Sequence, residues 1–314
     1  MNDYKYLVSA IVSVYNCERF IEGCLEDLEN QTIADKIEIV IVNSGSQQNE
    51  ESIIKRFQER YRNIVYLKTQ ERETIYAAWN RGIKASSGKY ITNANSDDRH
   101  CRNAFEIMTS VLEYSDNVGL VYGDSIITKT ENETFDNCTP IGYIDYSLDI
   151  LDRASYLLYG GVGNQPMWRK EIHDEFGYFD NSLEVAGDID FWLRISKKIK
   201  FKHIKRYLGL SLNLSSSMEH KNFELTAIES LEVAKRYLPE IKLDKEVFIK
   251  WRRILSRQCA NLALFYIGMR KNSAAINMLL KAIYYNWWNL KAYKLLAATL
   301  IPYDIRKHMQ RGRQ

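Results

Sequence analysis

The sequence predicts an α/β protein with a mostly parallel sheet flanked by helices, followed by an all-helical C-terminal region. Up to about residue 124, short apolar runs rich in β-branched residues alternate with segments of helical periodicity. This alternation is typical of parallel strands joined by right-handed crossovers. From Phe223 onward the strand pattern stops and helical patterns continue. We therefore expect two domains, 1–222 and 223–314.

The predicted strands of the first domain end in polar residues. Tyr6–Val14 and Ile37–Val42 are nearly continuous apolar runs, as expected of strands buried on both faces. Parallel strands share one carboxyl edge, where ligands of open α/β sheets bind. The polar stretches at three strand ends are Ser13–Asn16, Asn43–Ser46 and Asn95–Asp98. We expect a nucleotide site there.

Two adjacent carboxylates, Asp97 and Asp98, follow the strand predicted at Tyr90–Ala94. Neighbouring aspartates repel each other unless a cation or hydrogen-bond donors offset the charge. The spacing supports two interpretations about equally: a site for a divalent metal and a nucleotide, or a solvated loop with Asp98 near a helix N-cap. Neither G-x-G-x-x-G nor G-x-x-x-x-G-K-[ST] occurs, which argues against a dinucleotide dehydrogenase and a P-loop NTPase.

A third acidic position, Asp188, lies at the predicted start of a helix. Helix capping is its default role there, but we also expect it at the mouth of a cleft lined by Trp168 and Tyr178. On the same helix, Trp192 shares one face with Ile189 and Leu193, which indicates core packing.

The composition is that of an ordinary globular protein, with 46% apolar and 26% charged residues. The five cysteines are odd in number and contain no C-x-x-C pair, so neither a disulfide framework nor a zinc site is indicated. No secretory signal and no run of 18 apolar residues occurs. We therefore expect a cytoplasmic protein, and no nucleic-acid partner.

The last 45 residues are basic, with nine Lys or Arg and one acidic residue, Asp304. Aromatic residues accompany these charges, namely Tyr284, Tyr285, Trp287, Trp288 and Tyr293. The combination suits a membrane interface, such as the inner face of the plasma membrane, or an anionic glycan. A solvated helical face with a buried aromatic stripe is equally compatible with it.

Six sequence blocks occur in series between about residues 7 and 215. They are Val12–Asn16, Gln31–Thr32, Ile39–Ser46, Ile75–Ile83, Gly88–Ile91 and Asn95–Asp98. In order and spacing they resemble the inverting family 2 glycosyltransferases, which have the GT-A (Rossmann-like) fold. The resemblance implies a metal-dependent transferase of polysaccharide biosynthesis that uses Mn²⁺ or Mg²⁺. It would move a sugar from a nucleotide-diphosphate donor, most simply a UDP-sugar, to a hydroxyl of a glycan, lipid-linked or protein acceptor.

The resemblance also implies roles for individual residues. Asp188 is expected to be the general base, and Asp98 the metal ligand. The nucleotide-binding set is expected to be Ser13, Tyr15, Asn43, Gly45, Asn80, Asn95 and Asp97. The acceptor side is expected to include Trp168, Gly187 and Trp192.

The chain departs from the family pattern at several positions. Asn43 and Ser44 stand where the family usually has aspartate, Gly187 where it usually has glutamate, and Arg72 where an acid often lies. The histidine expected as a further metal ligand is not plainly present, although His220 is near. The departures favour, as an alternative, a non-catalytic nucleotide- or glycan-binding module. A glycoside hydrolase is less favoured because of the nucleotide motifs at the strand ends.

Overall fold

The computed structural model describes residues 4–146, 150–151, 161–163, 165–213, 223–241 and 245–300. These residues form two compact units, one holding the described residues up to 213 and the other those from 223 onward. The predicted domain boundary at residue 222 lies outside the described residues, so its position stays a prediction.

The first unit is built on a single mixed sheet. In the described part of the chain its strands are β1 (Tyr6–Val14), β2 (Ile37–Ser44), β3 (Ile64–Thr69), β4 (Gly88–Asn93), β5 (Arg99–His100), β6 (Val118–Thr128), β7 (Gly142–Ile144), β8 (Ile150–Leu151), β9 (Met167–Arg169) and β10 (Lys200–Leu212). Their order is β3-β2-β1-β4-β9-β6-β10-β5, with β7 paired to β6 and β8 to β10.

The first four strands are parallel, as the alternating pattern predicts. Val14 lies opposite Asn43, and Ile11 lies opposite Asn93, so the carboxyl ends of β1, β2 and β4 share one edge. All of β2 is buried. Burial on both faces explains why these strands are continuous apolar runs rather than alternating ones.

The second half of the sheet is mixed. β9 lies antiparallel between β4 and β6, whereas β6 and β10 pair in parallel. Met167 lies opposite both Thr92 of β4 and Val121 of β6. The α/β class and the GT-A-like architecture are confirmed, but the parallel arrangement holds mainly for the first four strands.

Six helices accompany the sheet in the described part of the first unit. They are α1 (Glu18–Glu29), α2 (Glu50–Arg60), α3 (Ile75–Ala85), α4 (Ala104–Glu113), α5 (Ile172–Phe176) and α6 (Gly187–Ile195). The Thr74 hydroxyl caps α3 by accepting a 3.2 Å hydrogen bond from the Ala77 N–H. This cap fixes the start of α3, so Tyr76 and Asn80 lie in the first two turns of that helix.

The second unit is helical throughout its described residues. Its helices are α7 (Phe223–Tyr237), α8 (Lys245–Gly268), α9 (Asn272–Tyr285) and α10 (Leu290–Leu300). Ser256 of α8 donates to the Ala282 carbonyl at 2.7 Å and accepts from Asn289 at 2.8 Å, which joins α8, α9 and the turn before α10. Within the described residues, no helix has the length and apolarity needed to cross a bilayer.

Candidate functional site

The loop after β2 is shaped by Asn43. Its Oδ1 accepts a 3.0 Å bond from the Ser46 N–H, and its Nδ2 donates to the Tyr66 hydroxyl at 3.1 Å. Gly45 has φ +62°, and a Cβ there would lie 2.8 Å from the Glu71 carbonyl carbon. A side chain is therefore excluded by both conformation and space. The loop after β2, where we predict the nucleotide to bind, is therefore tight and held in one shape by its own contacts.

Tyr15 lies at the same edge, beyond the end of β1. Its side chain is 38% exposed, and the Arg72 guanidinium lies 4.4 Å from the ring centroid. Ser13 is half-buried opposite Val42 of β2. Arg72, which stands where an acid often lies in the family, therefore brings a cation over an aromatic ring at the strand ends.

Asp98 is buried at the end of the turn that follows β4, with 6% exposure. Its Oδ1 accepts from the Leu212 N–H at 3.3 Å, and its Oδ2 accepts from Asn95 Nδ2 at 3.2 Å. Burial raises the pKa of the Asp98 carboxyl, and the neighbouring charge of Asp97 raises it further. Asp97 itself is exposed. The two adjacent aspartates thus differ in side-chain exposure, and their roles stay predictions.

The donor set around Asp98 suits a hard divalent cation. Among the described residues, Asn95 Oδ1 is buried and has no hydrogen-bond partner, while the Nδ2 of the same amide is bonded to Asp98. Carboxylate and amide oxygens are ligands that Mg²⁺ and Mn²⁺ accept. A cation would also offset the charge that raises the pKa of Asp98. The described residues contain no ready cluster of three His, Cys, Asp or Glu side chains, and His220 lies outside them.

Asp188 lies in the first turn of α6 and is half-buried. Its Oδ1 accepts a 3.1 Å bond from the Tyr76 hydroxyl and a 2.8 Å bond from the Ile189 N–H. The N-cap position belongs to Ala186, so Asp188 is not the capping residue. A carboxylate in the first helical turn is favoured by the helix dipole.

Asn80 is tied to the segment that precedes α6. Its Oδ1 accepts from the Phe179 N–H at 3.0 Å, and its Nδ2 donates to the Phe179 carbonyl at 2.9 Å and to Asn181 Oδ1 at 2.6 Å. The side chain is 5% exposed. These hydrogen bonds hold the chain segment that leads to Asp188. A nucleotide contact by Asn80 stays a prediction.

The structure corrects the expectation that Trp168 and Trp192 line the acceptor side. They are 1% and 3% exposed, and their rings pack 5.2 Å apart at 72°. Trp168 Nε1 donates to His173 Nε2 at 3.0 Å, so His173 carries its proton on Nδ1 and donates to the Gly177 carbonyl. Burial lowers the pKa of His173 to about 4, which keeps it neutral. Fully buried indoles present no surface to an acceptor, and both belong to the core beneath α6.

Two residues of this region had no assigned role in the sequence. Tyr76 reaches Asp188 across 112 positions of the chain, and Arg99 bonds to the backbone of the Asn95–Asp98 turn. Each lies inside or beside a recognised sequence block, which is the signal that could have pointed to them. Their partners could not be inferred from the blocks alone.

Residues 9–177, more than half of the chain, match the sequence model described as Glycosyl transferase family 2. This range includes the loop after β2, Tyr76 and the Asn95–Asp98 turn, and it ends before Asp188.

The chain belongs to glycosyl transferase family 2.

Full-length and partial relatives agree with this assignment. The glycosyltransferase is 25% identical over 313 residues to an uncharacterized glycosyltransferase of Rickettsia prowazekii, covering 98% of this chain and 93% of the relative. It is 24% identical over 206 residues to an uncharacterized glycosyltransferase of Methanocaldococcus jannaschii, covering 65% and 70%.

Solved structures share the fold of this glycosyltransferase at low sequence identity. S. aureus TarS 1–349 in complex with UDP-GlcNAc matches with TM-score 0.60 and 13% identity, over 93% of this chain and 90% of TarS. The mannosyltransferase PcManGT from Pyrobaculum calidifontis, in complex with GDP-Man and Mn²⁺, matches with TM-score 0.57 and 17% identity, over 95% and 80%. Such likenesses establish the fold of the chain, and the family match establishes the transferase class.

Proposed function

We propose that this glycosyltransferase moves a sugar from a nucleoside-diphosphate donor, most simply a UDP-sugar, to a hydroxyl of a glycan, lipid-linked or protein acceptor, with inversion. The observation that carries the proposal is the turn after β4. There the buried Asp98 carboxylate and the Asn95 amide lie at the same sheet edge as the loops after β1 and β2. The nucleotide sugars named for TarS and PcManGT support this donor class.

We assign the nucleoside to the loops after β1 and β2. Tyr15 offers a partly exposed aromatic face for a base, and Arg72 holds a positive charge beside it for the diphosphate. Ser13 and the backbone at Gly45 line the same edge. Because the Asn43 amide is bonded to Ser46 and Tyr66, its contribution is to hold the loop in shape around the base.

Asp98 and Asn95 Oδ1 would hold the divalent cation, Mn²⁺ or Mg²⁺, with Asp97 directed to the nucleoside. When bound, the cation supplies positive charge that stabilises the departing diphosphate. Asn95 remains aligned because its Nδ2 is bonded to Asp98.

Asp188 acts as the general base. It takes the proton of the acceptor hydroxyl while the acceptor oxygen forms a bond to the anomeric carbon of the donor. The bond from that carbon to the phosphate oxygen breaks, and its electron pair leaves with the nucleoside diphosphate. Asp188 then releases the proton to solvent. We also assign Gly187, which precedes the base, to the acceptor side, where it would contribute only backbone atoms.

We assign peripheral membrane contact, at the inner face of the plasma membrane, to the helical unit. Trp287 and Trp288 are 68% and 70% exposed, so these two aromatic residues are not part of a buried stripe. Beside them is a cavity of about 470 Å³ whose lining includes Arg253, Arg257 and Lys291. Exposed indoles next to cations suit the headgroup region of an anionic bilayer.

A thermal-shift screen of UDP- and GDP-sugars with and without Mn²⁺ identifies the donor, and nucleoside-diphosphate release with an acceptor panel then tests transfer. We expect Asp98→Asn to lose the Mn²⁺-dependent shift, whereas Asp35→Asn, an exposed control, retains it.

Two other outcomes would replace the proposal. Donor binding without turnover over a broad acceptor set would indicate a non-catalytic module, which the glycine at position 187 favours. Hydrolysis of a glycan without any nucleotide sugar, insensitive to EDTA, would indicate a glycoside hydrolase.

A further inference from the structure

Tyr76 lies in the first turn of α3, and its ring packs between Trp79 of the same helix and Phe179 of the segment leading to α6. It is 4% exposed, stacks on Phe179 with centroids 5.9 Å apart, and makes an edge contact with Trp79 at 5.5 Å. Its hydroxyl donates to Asp188 Oδ1 at 3.1 Å. Because packing fixes the ring, the hydroxyl has a defined position against one oxygen of the carboxylate.

Gly187 provides the space for that ring. A Cβ at position 187 would lie 2.6 Å from Tyr76 Cδ2 and 2.8 Å from its Cγ and Cε2. Real Cβ atoms do not approach ring carbons so closely, so any side chain at position 187 must displace Tyr76. A glutamate, the usual family residue at this position, is incompatible with the observed ring position.

We propose that Tyr76 is a positioning residue that holds the Asp188 carboxylate for proton transfer, and that glycine at position 187 is required to admit it. The proposal rests on the proposed function, in which Asp188 is the base. It gives the glycine at position 187 a structural reason, because the Tyr76 ring occupies the space that a side chain there would fill.

The hydroxyl of Tyr76 is suited to this role because it remains a donor. Burial raises the pKa of Tyr76, and the charge of Asp188 raises it further. A donor to the carboxylate favours its charged form. On the same helix, the Ile189 N–H donates to Asp188 Oδ1 at 2.8 Å, and the Asp190 carboxylate accepts from Arg194 at 3.0 Å.

The first test is Tyr76→Phe, which keeps the ring and removes the hydroxyl. Loss of the donor destabilises the Asp188 carboxylate, so its pKa rises and the acid limb of the kcat/KM profile moves up by roughly one pH unit. We expect donor affinity to be unchanged. Tyr90→Phe is the matched control, since it removes a tyrosine bond to another carboxylate, Glu113, and should leave the limb in place.

The second test is Gly187→Ala, which should shift the acid limb in the same direction by displacing the ring. In the Tyr76→Phe/Gly187→Ala double variant we expect no shift beyond that of Tyr76→Phe, because both changes remove the same bond. Gly142→Ala is the control, since the nearest atom to its new Cβ is 3.7 Å away. A double variant whose two shifts add would refute the steric link.

A direct titration separates this proposal from the proposed function. The Asp188 carboxyl carbon, followed by NMR in wild type and Tyr76→Phe, reports the pKa without turnover. A higher value in the variant supports the positioning role even if no transfer is found. Equal values in an active enzyme overturn the positioning role and leave the transferase assignment standing.

Discussion

The Arg99 guanidinium donates hydrogen bonds to the backbone oxygens of Asp98, at 2.7 Å, and of Ser96, at 2.9 Å. It also donates to Asn132 Oδ1 at 3.1 Å, and the side chain is 3% exposed. Gly23 makes room for it, since a Cβ there would lie 2.6 Å from the guanidinium. A buried arginine therefore sets the shape of the turn that presents Asp98.

Replacing Arg99 by methionine should destabilise the first unit and weaken donor binding. The change leaves several buried oxygen acceptors without a donor, so we expect the free energy of unfolding to fall by about 3 kcal/mol. Urea denaturation measures this loss. Arg102→Met, at an exposed position, is the control. A loss no larger than that of the control would mean that the turn keeps its shape without Arg99.

Replacing Asp98 by asparagine should raise the melting temperature in the absence of metal and should abolish its increase with Mn²⁺. The pKa of Asp98 is raised in the fold, so this group's stabilising contribution is lost as pH rises from the ordinary aspartate value. Without a cation at pH 8, Asp98→Asn should therefore melt roughly 3 °C above wild type. Adding Mn²⁺ should raise the melting temperature of wild type only. A variant that Mn²⁺ still stabilises would place the metal elsewhere.

Glu29 offers a second pH-dependent site, at the end of α1. Burial raises its pKa to about 7. Its contribution to stability is therefore present below the ordinary glutamate range and is lost as pH rises towards 7. Glu29→Gln should match wild type near pH 4 and exceed it by about 1 kcal/mol at pH 8, a figure reduced for partial exposure. Glu26→Gln, which is exposed, should show no such crossover in urea titrations.

Asp188→Asn tests the general base. Loss of the base should lower kcat by about 10² to 10⁴ while leaving nucleotide affinity intact. Steady-state kinetics and calorimetry with the donor measure the two quantities separately. Asp174→Asn, at an exposed position on α5, is the control. An equal loss of nucleotide affinity would make Asp188 a structural residue instead.

Trp287→Ala/Trp288→Ala tests membrane contact by the helical unit. Removing both exposed indoles, whose centroids lie 4.7 Å apart, should reduce sedimentation with anionic liposomes at least tenfold, with neutral liposomes as reference. Deleting Lys291–Gln314 should act in the same direction through lost charge. Tyr114→Ala, 90% exposed in the first unit, is the control. Unchanged sedimentation of the double variant would exclude this surface.

The long periodic elements could be predicted from sequence, since their own residues determine them. β1 and β2 are nearly continuous apolar runs of 9 and 8 residues, and the 12 residues of α1 have helical periodicity. β9 could not be predicted, because three residues hold too little pattern and its pairing depends on strands distant in the chain.

Within the candidate site, the Asn95–Asp98 turn was recognisable because several adjacent strand ends are polar. Trp168 was misplaced because an aromatic residue looks the same in sequence whether it lines a cleft or fills a core. The burial of Trp192 agrees with its helical spacing to Ile189 and Leu193, and only its assignment to the acceptor side fails. The contact between Tyr76 and Gly187 could not be predicted from the sequence, because it depends on the lack of a side chain at a residue more than 100 positions along the chain.

The hydrogen bond from the Leu212 N–H to Asp98 has a consequence for the order of assembly. The first four strands come from one continuous stretch with short crossovers, so they can pair early as the chain leaves the ribosome. Leu212 follows Asp98 by 114 positions. We therefore expect a nascent chain to form the shared carboxyl edge of β1, β2 and β4 first, and to gain a fully constrained Asp98 only when β10 has been synthesised and docked.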